Sequence, residues 1–235
     1  MKAIAHIIIP FVFALSAFAQ DAAPMTATTP AVHGGTEGKI TAYTEESKKG
    51  EANLVFLGDS ITEGWKGAGK EVWAKAWAEY KPANFGIGGD RTEHILHRLD
   101  KGNLQGLKPK AIVLMIGTNN TGHRREPAAQ TAAGVQAILQ KIATITPDAQ
   151  VLLLGIFPRG EKADDPMRVQ NAEINKLIEK MADNKKVHYL DISAKFLGTG
   201  GVISREIMPD VLHLSQKGYQ IWADAIKEKV AALMK

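Results

Sequence analysis

Five short apolar runs recur along the chain, at Asn53–Leu57, Ala83–Phe85, Ala111–Ile116, Val151–Ile156 and Val187–Leu190. Each is rich in β-branched and aliphatic residues and bounded by turn formers, which predicts buried strands. Between them the apolar positions fall at helical spacing, near Glu71–Tyr80, Arg91–Leu99, Pro127–Ile145 and Pro166–Ala182, with a last helix from about Ser215 to Met234. A short helix over Ile40–Lys49 crosses one face. Strands that alternate with helices predict the α/β class: a three-layer α/β/α sandwich, doubly wound around a five-stranded parallel sheet.

Four loops are expected after the C-terminal ends of the predicted strands: Gly58–Trp65, Gly86–Arg91, Gly117–Arg124 and Phe157–Asp165. In a parallel sheet these open on one edge, the edge where open α/β sheets bind ligands. They also carry the unusual Gly, Asn, Asp and Ser residues of the chain, so topology alone points to a single site. No internal repeat appears, and no domain-length linker follows residue 40.

The N-terminus changes the picture of the mature protein. Met1-Lys2 precedes a mostly apolar stretch, Ile4 to Phe18, and Ala17-Phe18-Ala19 has the small-x-small cleavage pattern. Residues 1–19 read as a signal peptide cleaved before Gln20, because the apolar stretch is short for a membrane span of about 20 residues. The expected location is periplasmic or secreted, with no stable membrane insertion after cleavage. Residues 20–38, rich in Ala, Thr, Pro and Gly, read as a flexible leader, and residues 39–235 as one domain. The 235-residue chain has no cysteine, so neither disulfides nor a lipid-bearing cysteine enter the account. Its net charge is +4, or +3 once Lys2 is lost with the signal peptide, and no basic run stands out. A nucleic-acid partner is therefore not expected.

The candidate chemistry begins at Ser60, on the turn after the first strand. A serine hydroxyl is a weak nucleophile near neutral pH and needs a base. His213, just before the last helix, fits that need, and Asp210 three residues earlier can orient the imidazole and stabilise the imidazolium. The oxyanion of an acyl intermediate needs donors. The Ser60 amide, the glycine turn Gly86-Ile87-Gly88-Gly89 and the Asn119 side chain are the candidates. Other patterns are weaker. Gly64 to Lys70 satisfies G-x-x-x-x-G-K, but Glu71 stands where a phosphate loop needs Ser or Thr. Gly86-x-Gly88 resembles a dinucleotide fingerprint, with Arg91 where the third glycine belongs. His94 and His97 have no third ligand for a zinc ion, and Asn119-Asn120-Thr121 reads as a chance glycosylation sequon.

Four blocks in order, G-D-S at Gly58–Ser60, N-F-G-I-G-G-D at Asn84–Asp90, G-T-N-N at Gly117–Asn120 and D-x-x-H at Asp210–His213, resemble the SGNH (GDSL) hydrolases. With L-L-G-I-F-P-R-G-E-K at Leu153–Lys162, the chain is similar to the platelet-activating-factor acetylhydrolase-like branch over about residues 53–230. The resemblance implies a flavodoxin-like hydrolase with no metal or other cofactor. It implies Ser60 as nucleophile, His213 as base and Asp210 as its partner. It carries the oxyanion hole onto the Ser60 amide, the Gly89 amide and the Asn119 side chain, with Gly88 as the adjacent alternative. Asp59, Asp90 and Asn120 are carried over as candidate substrate-binding residues, and Asp59 is also expected to fix the serine turn.

The expected function is that of a secreted or periplasmic serine esterase removing short acyl groups, acetyl above all, from small-molecule or polysaccharide esters. A lipid or lysophospholipid esterase of the same family, a non-catalytic carbohydrate-binding protein and a nucleotide-binding protein are the rivals. Some related proteins pair, and nothing in the sequence identifies an interface.

Overall fold

The computed structural model describes residues 26–235; the expected signal peptide, residues 1–19, and the expected leader up to residue 25 lie outside the described residues. Five parallel strands, β1 (Leu54–Gly58), β2 (Pro82–Gly86), β3 (Ala111–Met115), β4 (Gln150–Leu154) and β5 (Val187–Leu190), form one sheet in the order β2-β1-β3-β4-β5. Successive strand residues point to opposite faces, so each strand feeds two cores. Val55 and Leu57 pack with Ile112, Leu114, Val151 and Leu153 beneath α1 (Glu37–Lys49), α4 (Thr92–Asp100), α6 (Ala128–Ile145) and α7 (Pro166–Ile178). Leu54 and Phe56 pack with Val113, Met115, Leu152 and Leu154 on the other face, against α2 (Ser60–Glu63), α3 (Lys70–Ala76) and α8 (Gln216–Leu233). The second core is aromatic: Phe56 meets Trp65, Trp73, Trp77 and Trp222 with ring centroids 4.9–6.1 Å apart. The three-layer, doubly wound, flavodoxin-like expectation is met.

The strand order places a topological switch between β1 and β3, since the chain leaves β1 toward one edge and returns at β3 to build the other. Gly58 pairs in register with Gly86 on one side and Met115 on the other, so three strands end level with one another. Close packing sets the glycines there. A Cβ on Gly86 would stand 2.1 Å from the Glu63 nitrogen, and one on Gly58 would stand 2.4 Å from the Met115 carbonyl oxygen. The helix carrying Ser60 thus lies directly on the strand ends.

Two expectations need correction. Two of the four segments expected as loops are helical: Ser60–Glu63 forms α2 within Gly58–Trp65, and in Gly117–Arg124 the stretch Thr118–Arg124 forms a helix, α5, entered through Gly117 at φ +128°. Its Thr, Asn and Gly content gives little intrinsic helix preference, and tertiary bonds to Thr118 and Asn120 hold it instead. Residues 26–38 do not behave as a loose leader. Ala27 is fully buried, its carbonyl accepts from Thr92 Oγ1 at 2.9 Å, and it lies where a Cβ on Gly134 would come within 2.7 Å. Ala31 N–H bonds the Glu93 carbonyl at 3.1 Å. A buried apolar anchor and backbone bonds override a composition that reads as coil. Among the described residues no helix is long and apolar enough to cross a membrane.

Candidate active site

Asp59 caps α2, its Oδ1 accepting from the Ile61 N–H at 3.0 Å, and the cap turns Ser60 out of the strand at the sheet edge. Ser60 Oγ lies 2.9 Å from His213 Nε2, and His213 Nδ1 lies 2.6 Å from Asp210 Oδ2. Asp210 Oδ1 also accepts the backbone N–H of Leu212 and of His213, at 3.1 and 2.7 Å. Its partial burial opposes ionisation, but the His213 side chain and these N–H groups together hold the carboxyl below its usual range. Between Asp210 and His213, the β-branched Val211 takes a left-handed φ of +57°. That conformation is costly for such a residue. The Gly160 N–H, bonding the Val211 carbonyl at 2.9 Å, helps to hold it. The predicted serine, histidine and aspartate therefore form one hydrogen-bonded chain across 153 residues of sequence. The side chains of His213 and Asp210 are 44% and 57% exposed, so the chain stands on an open surface.

The donors around Ser60 sort themselves by what already occupies them. Ser60 opens α2, so its own N–H has no intrahelical partner. The Gly88 N–H is taken by Glu63 Oε2 at 2.7 Å. Gly89, at φ +79°, makes no hydrogen bond through its N–H among the described residues. That contrast favours Gly89 over Gly88 as the second donor. One hydrogen of the Asn119 Nδ2 group goes to the Asp90 carbonyl at 2.9 Å, leaving the other free.

The three residues carried over as substrate-binding do not face the site. Asp59, Asp90 and Asn120 are 1%, 1% and 0% exposed. Asp90 is clamped by Arg98 Nε at 2.9 Å and His33 Nδ1 at 2.8 Å. Asn120 accepts from Thr92 N–H at 3.1 Å and donates to Glu126 at 2.7 Å. A polar residue inside a motif reads as substrate-binding, yet each of these is turned inward and held below the surface. The weaker patterns resolve similarly. A Cβ on Gly64 would collide with the Tyr219 hydroxyl, so the phosphate-loop match is a packed turn. His94 is buried; burial first, and the nearby Arg91 charge, push its pKa down to about 4.

Three supporting residues lie outside the four sequence blocks. Arg98, fully buried on α4, ties Asp90 to the carbonyls of Gly58 and Phe85. Glu63 holds Gly88. His33 stacks on His94 at 4.5 Å and sits where a Cβ on Gly89 would come within 3.1 Å. His33, Asp90 and His94 place three ligand-type atoms within 4.8 Å of one another. Arg98 already neutralises Asp90, and the Arg91 N–H already fills His94 Nδ1, so this trio reads as a brace under the Gly89 turn.

Asp59 supplies a pH test of the serine turn. Full burial, with the Asp90 charge adding to it, raises its pKa to about 7 despite the bond from Ile61. Its Oδ2 has no hydrogen-bond partner. A carboxyl whose folded pKa is raised favours folding below its unfolded value and loses that contribution as pH climbs through the folded one. Asp59→Asn is therefore expected to gain stability relative to the wild type as pH rises from about 4 to 7, and to hold a constant offset above that. Urea midpoints across pH 4–8 check it; a pH-independent difference would show Asp59 ionised throughout.

Comparison with known proteins agrees with this architecture. Residues 56–221 match the GDSL-like Lipase/Acylhydrolase family. The human platelet-activating factor acetylhydrolase IB subunit alpha1 is 38% identical over 178 residues, covering 75% of this chain and 74% of that protein. A Streptococcus pneumonia structure described as a platelet activating factor superposes with a TM-score of 0.71 at 27% identity, covering 83% of this chain and 92% of the other. The acetylxylan esterase Axe2 of Geobacillus stearothermophilus shares the fold, with a TM-score of 0.61 at 18% identity over 77% of this chain and 96% of that one. The chain belongs to the GDSL-like lipase/acylhydrolase family, in its platelet-activating-factor acetylhydrolase-like branch.

Proposed function

We propose that this protein is a serine esterase that removes short acyl groups, acetyl above all, from acetylated carbohydrates outside the cytoplasm. The observation that carries the reading is the unbroken bond chain Ser60–His213–Asp210 beside three unoccupied donors. In this reading Ser60 Oγ attacks the ester carbonyl while His213 Nε2 takes its proton. Asp210 stabilises the imidazolium. The oxyanion meets the Ser60 and Gly89 amides and the free Asn119 N–H. The alcohol leaves with the proton from His213, and water then attacks the acyl-enzyme by the same route.

Three observations support the finer points. The acetyl preference draws on relatives named for acetyl hydrolysis. The exposed rim at His213 and Asp210 suits a bulky substrate that lies on the surface. Export draws on residues 1–19. A lipid acetyl ester is the second reading, favoured by the 38% identity to the human acetylhydrolase subunit.

The test is hydrolysis of p-nitrophenyl acetate, butyrate and octanoate by the mature protein, beside Ser60→Ala. Acetate is expected to be fastest, and the variant to lose turnover. An acetylated xylan against a 2-acetyl phospholipid then separates the two readings. Equal rates in wild type and Ser60→Ala would sink the mechanism.

A further inference from the structure

We propose that Arg159 forms a subsite for a carboxylate carried by the ester substrate, of the kind an acidic sugar bears, next to the scissile acyl group. This rests on the reading of Ser60 as the acyl-transfer centre and names the substrate class that centre would serve.

Arg159 follows β4 on the catalytic edge of the sheet, and its backbone is pinned on both sides. The next residue, Gly160, bonds the Val211 carbonyl inside the Asp210–His213 loop, and Arg168 Nε bonds the Arg159 carbonyl at 3.0 Å. The side chain then crosses to the start of α5, after the third strand. Its Nη1 donates to the Thr118 carbonyl at 2.9 Å and to Thr118 Oγ1 at 3.1 Å, beside Asn119. The guanidinium lies against Gly122, where a Cβ would stand 2.7 Å from Nη1 and 3.2 Å from Nη2. Arg159 thus spans from the loop of the base to the helix of the oxyanion donor, and its head group is held in place.

The bonding is unfinished. Both hydrogens of Nη1 are used, while Nε and Nη2 have no partner among the described residues. Arg91, Arg98 and Arg124 in the same quarter each hold a carboxylate at 2.6–2.9 Å; Arg159 holds none. A half-buried cation without a counter-ion is unusual. The free edge, Nε with Nη2, is the planar two-donor face that takes a carboxylate in a bidentate pair. The Gly160–Val211 bond on one side and the Nη1 bonds to Thr118, next to Asn119, on the other place the guanidinium between the loop that carries His213 and the oxyanion donor. One guanidinium with no carboxylate partner among the described residues matches a single negative charge better than a phosphate dianion.

Matched aryl acetates test this: 4-acetoxybenzoate, its neutral methyl ester and 4-acetoxyphenyl phosphate. The measured quantity is kcat/KM for the carboxylate divided by that for the methyl ester, compared between proteins, so that intrinsic leaving-group reactivity and any general loss cancel. Arg159→Gln is expected to lower the ratio at least tenfold, and Arg159→Lys to lower it less, since it keeps the charge and loses the fork. Raising the salt should lower the wild-type ratio. An unchanged ratio in Arg159→Gln overturns the subsite, as does stronger Arg159-dependent preference for the phosphate than for the carboxylate. Should Arg159→Gln fail to fold, Arg159→Lys and the wild-type salt dependence decide alone. If no ester is turned over, the esterase reading fails separately. Titration of 4-acetoxybenzoate into Ser60→Ala, with and without Arg159→Gln, still reads the subsite, a tenfold weakening being expected and equal affinity fatal to it.

Discussion

His213→Ala is expected to lower kcat for p-nitrophenyl acetate by ~10⁴-fold or more, and adding Ser60→Ala to it is expected to cost almost nothing further. The reason is geometric. His213 Nε2 lies 2.9 Å from Ser60 Oγ, and among the described residues the hydroxyl has no other base. Once either member is gone, the remaining one has nothing to transfer a proton to or from. What survives is the catalysis from the oxyanion donors and binding, and it survives equally in both single variants and in the double variant. Asp210→Asn should leave the fold intact, because its backbone bonds to Leu212 and His213 need only one oxygen. It should still lose much of the rate by turning the imidazole to the wrong tautomer. Rates of the three variants, referred to protein freshly purified from a strain lacking other esterases, check this. Losses that multiply would show Ser60 and His213 acting independently and would break the proposed mechanism.

Asn119→Ala carries the second large effect, a fall in kcat of about 10²–10³-fold with KM little changed, the loss typical of one oxyanion donor. The amide is not free to wander: its first hydrogen is anchored on the Asp90 carbonyl at 2.9 Å, which fixes the direction of the second. Replacing it removes a donor that matters only when charge develops on the carbonyl oxygen, hence the selective loss in kcat. Asn120 is the internal control. One residue away, fully buried and bonded to Thr92 and Glu126, it should show its loss in melting temperature. If Asn119→Ala instead raises KM at constant kcat, Asn119 is a ground-state contact and the hole is built elsewhere.

Much of this was legible in the residues. Strands buried on both faces advertise themselves as apolar runs, and all five lie where those runs fall. Parallel topology then brings Ser60, Gly89 and Asn119 to one edge without any distance being known. What escaped did so for identifiable reasons. Thr118–Arg124 is helical through tertiary bonds, which leave no trace in local propensity. Asp59, Asp90 and Asn120 read as substrate-binding because polarity in a motif says nothing of which way a side chain turns. Arg98 gave a faint signal, a charged residue among Ile95, Leu96 and Leu99 on the apolar face of its helix. His33 gave none, since 57 residues separate it from Asp90 and no spacing rule connects them.

The brace beneath the Gly89 turn bears on what counts as one transferable piece of this protein. Residues 56–221 contain every group assigned to the chemistry. His33, which clamps Asp90, and Tyr43, whose hydroxyl bonds the Gly86 carbonyl at 2.8 Å and whose ring stacks on Phe85 at 4.8 Å, lie before them. A gene exchange with its breakpoint at β1 would inherit an intact triad on a glycine loop whose support stayed behind with the donor. The heritable unit is longer than the catalytic one, and its extra length begins by Ala27.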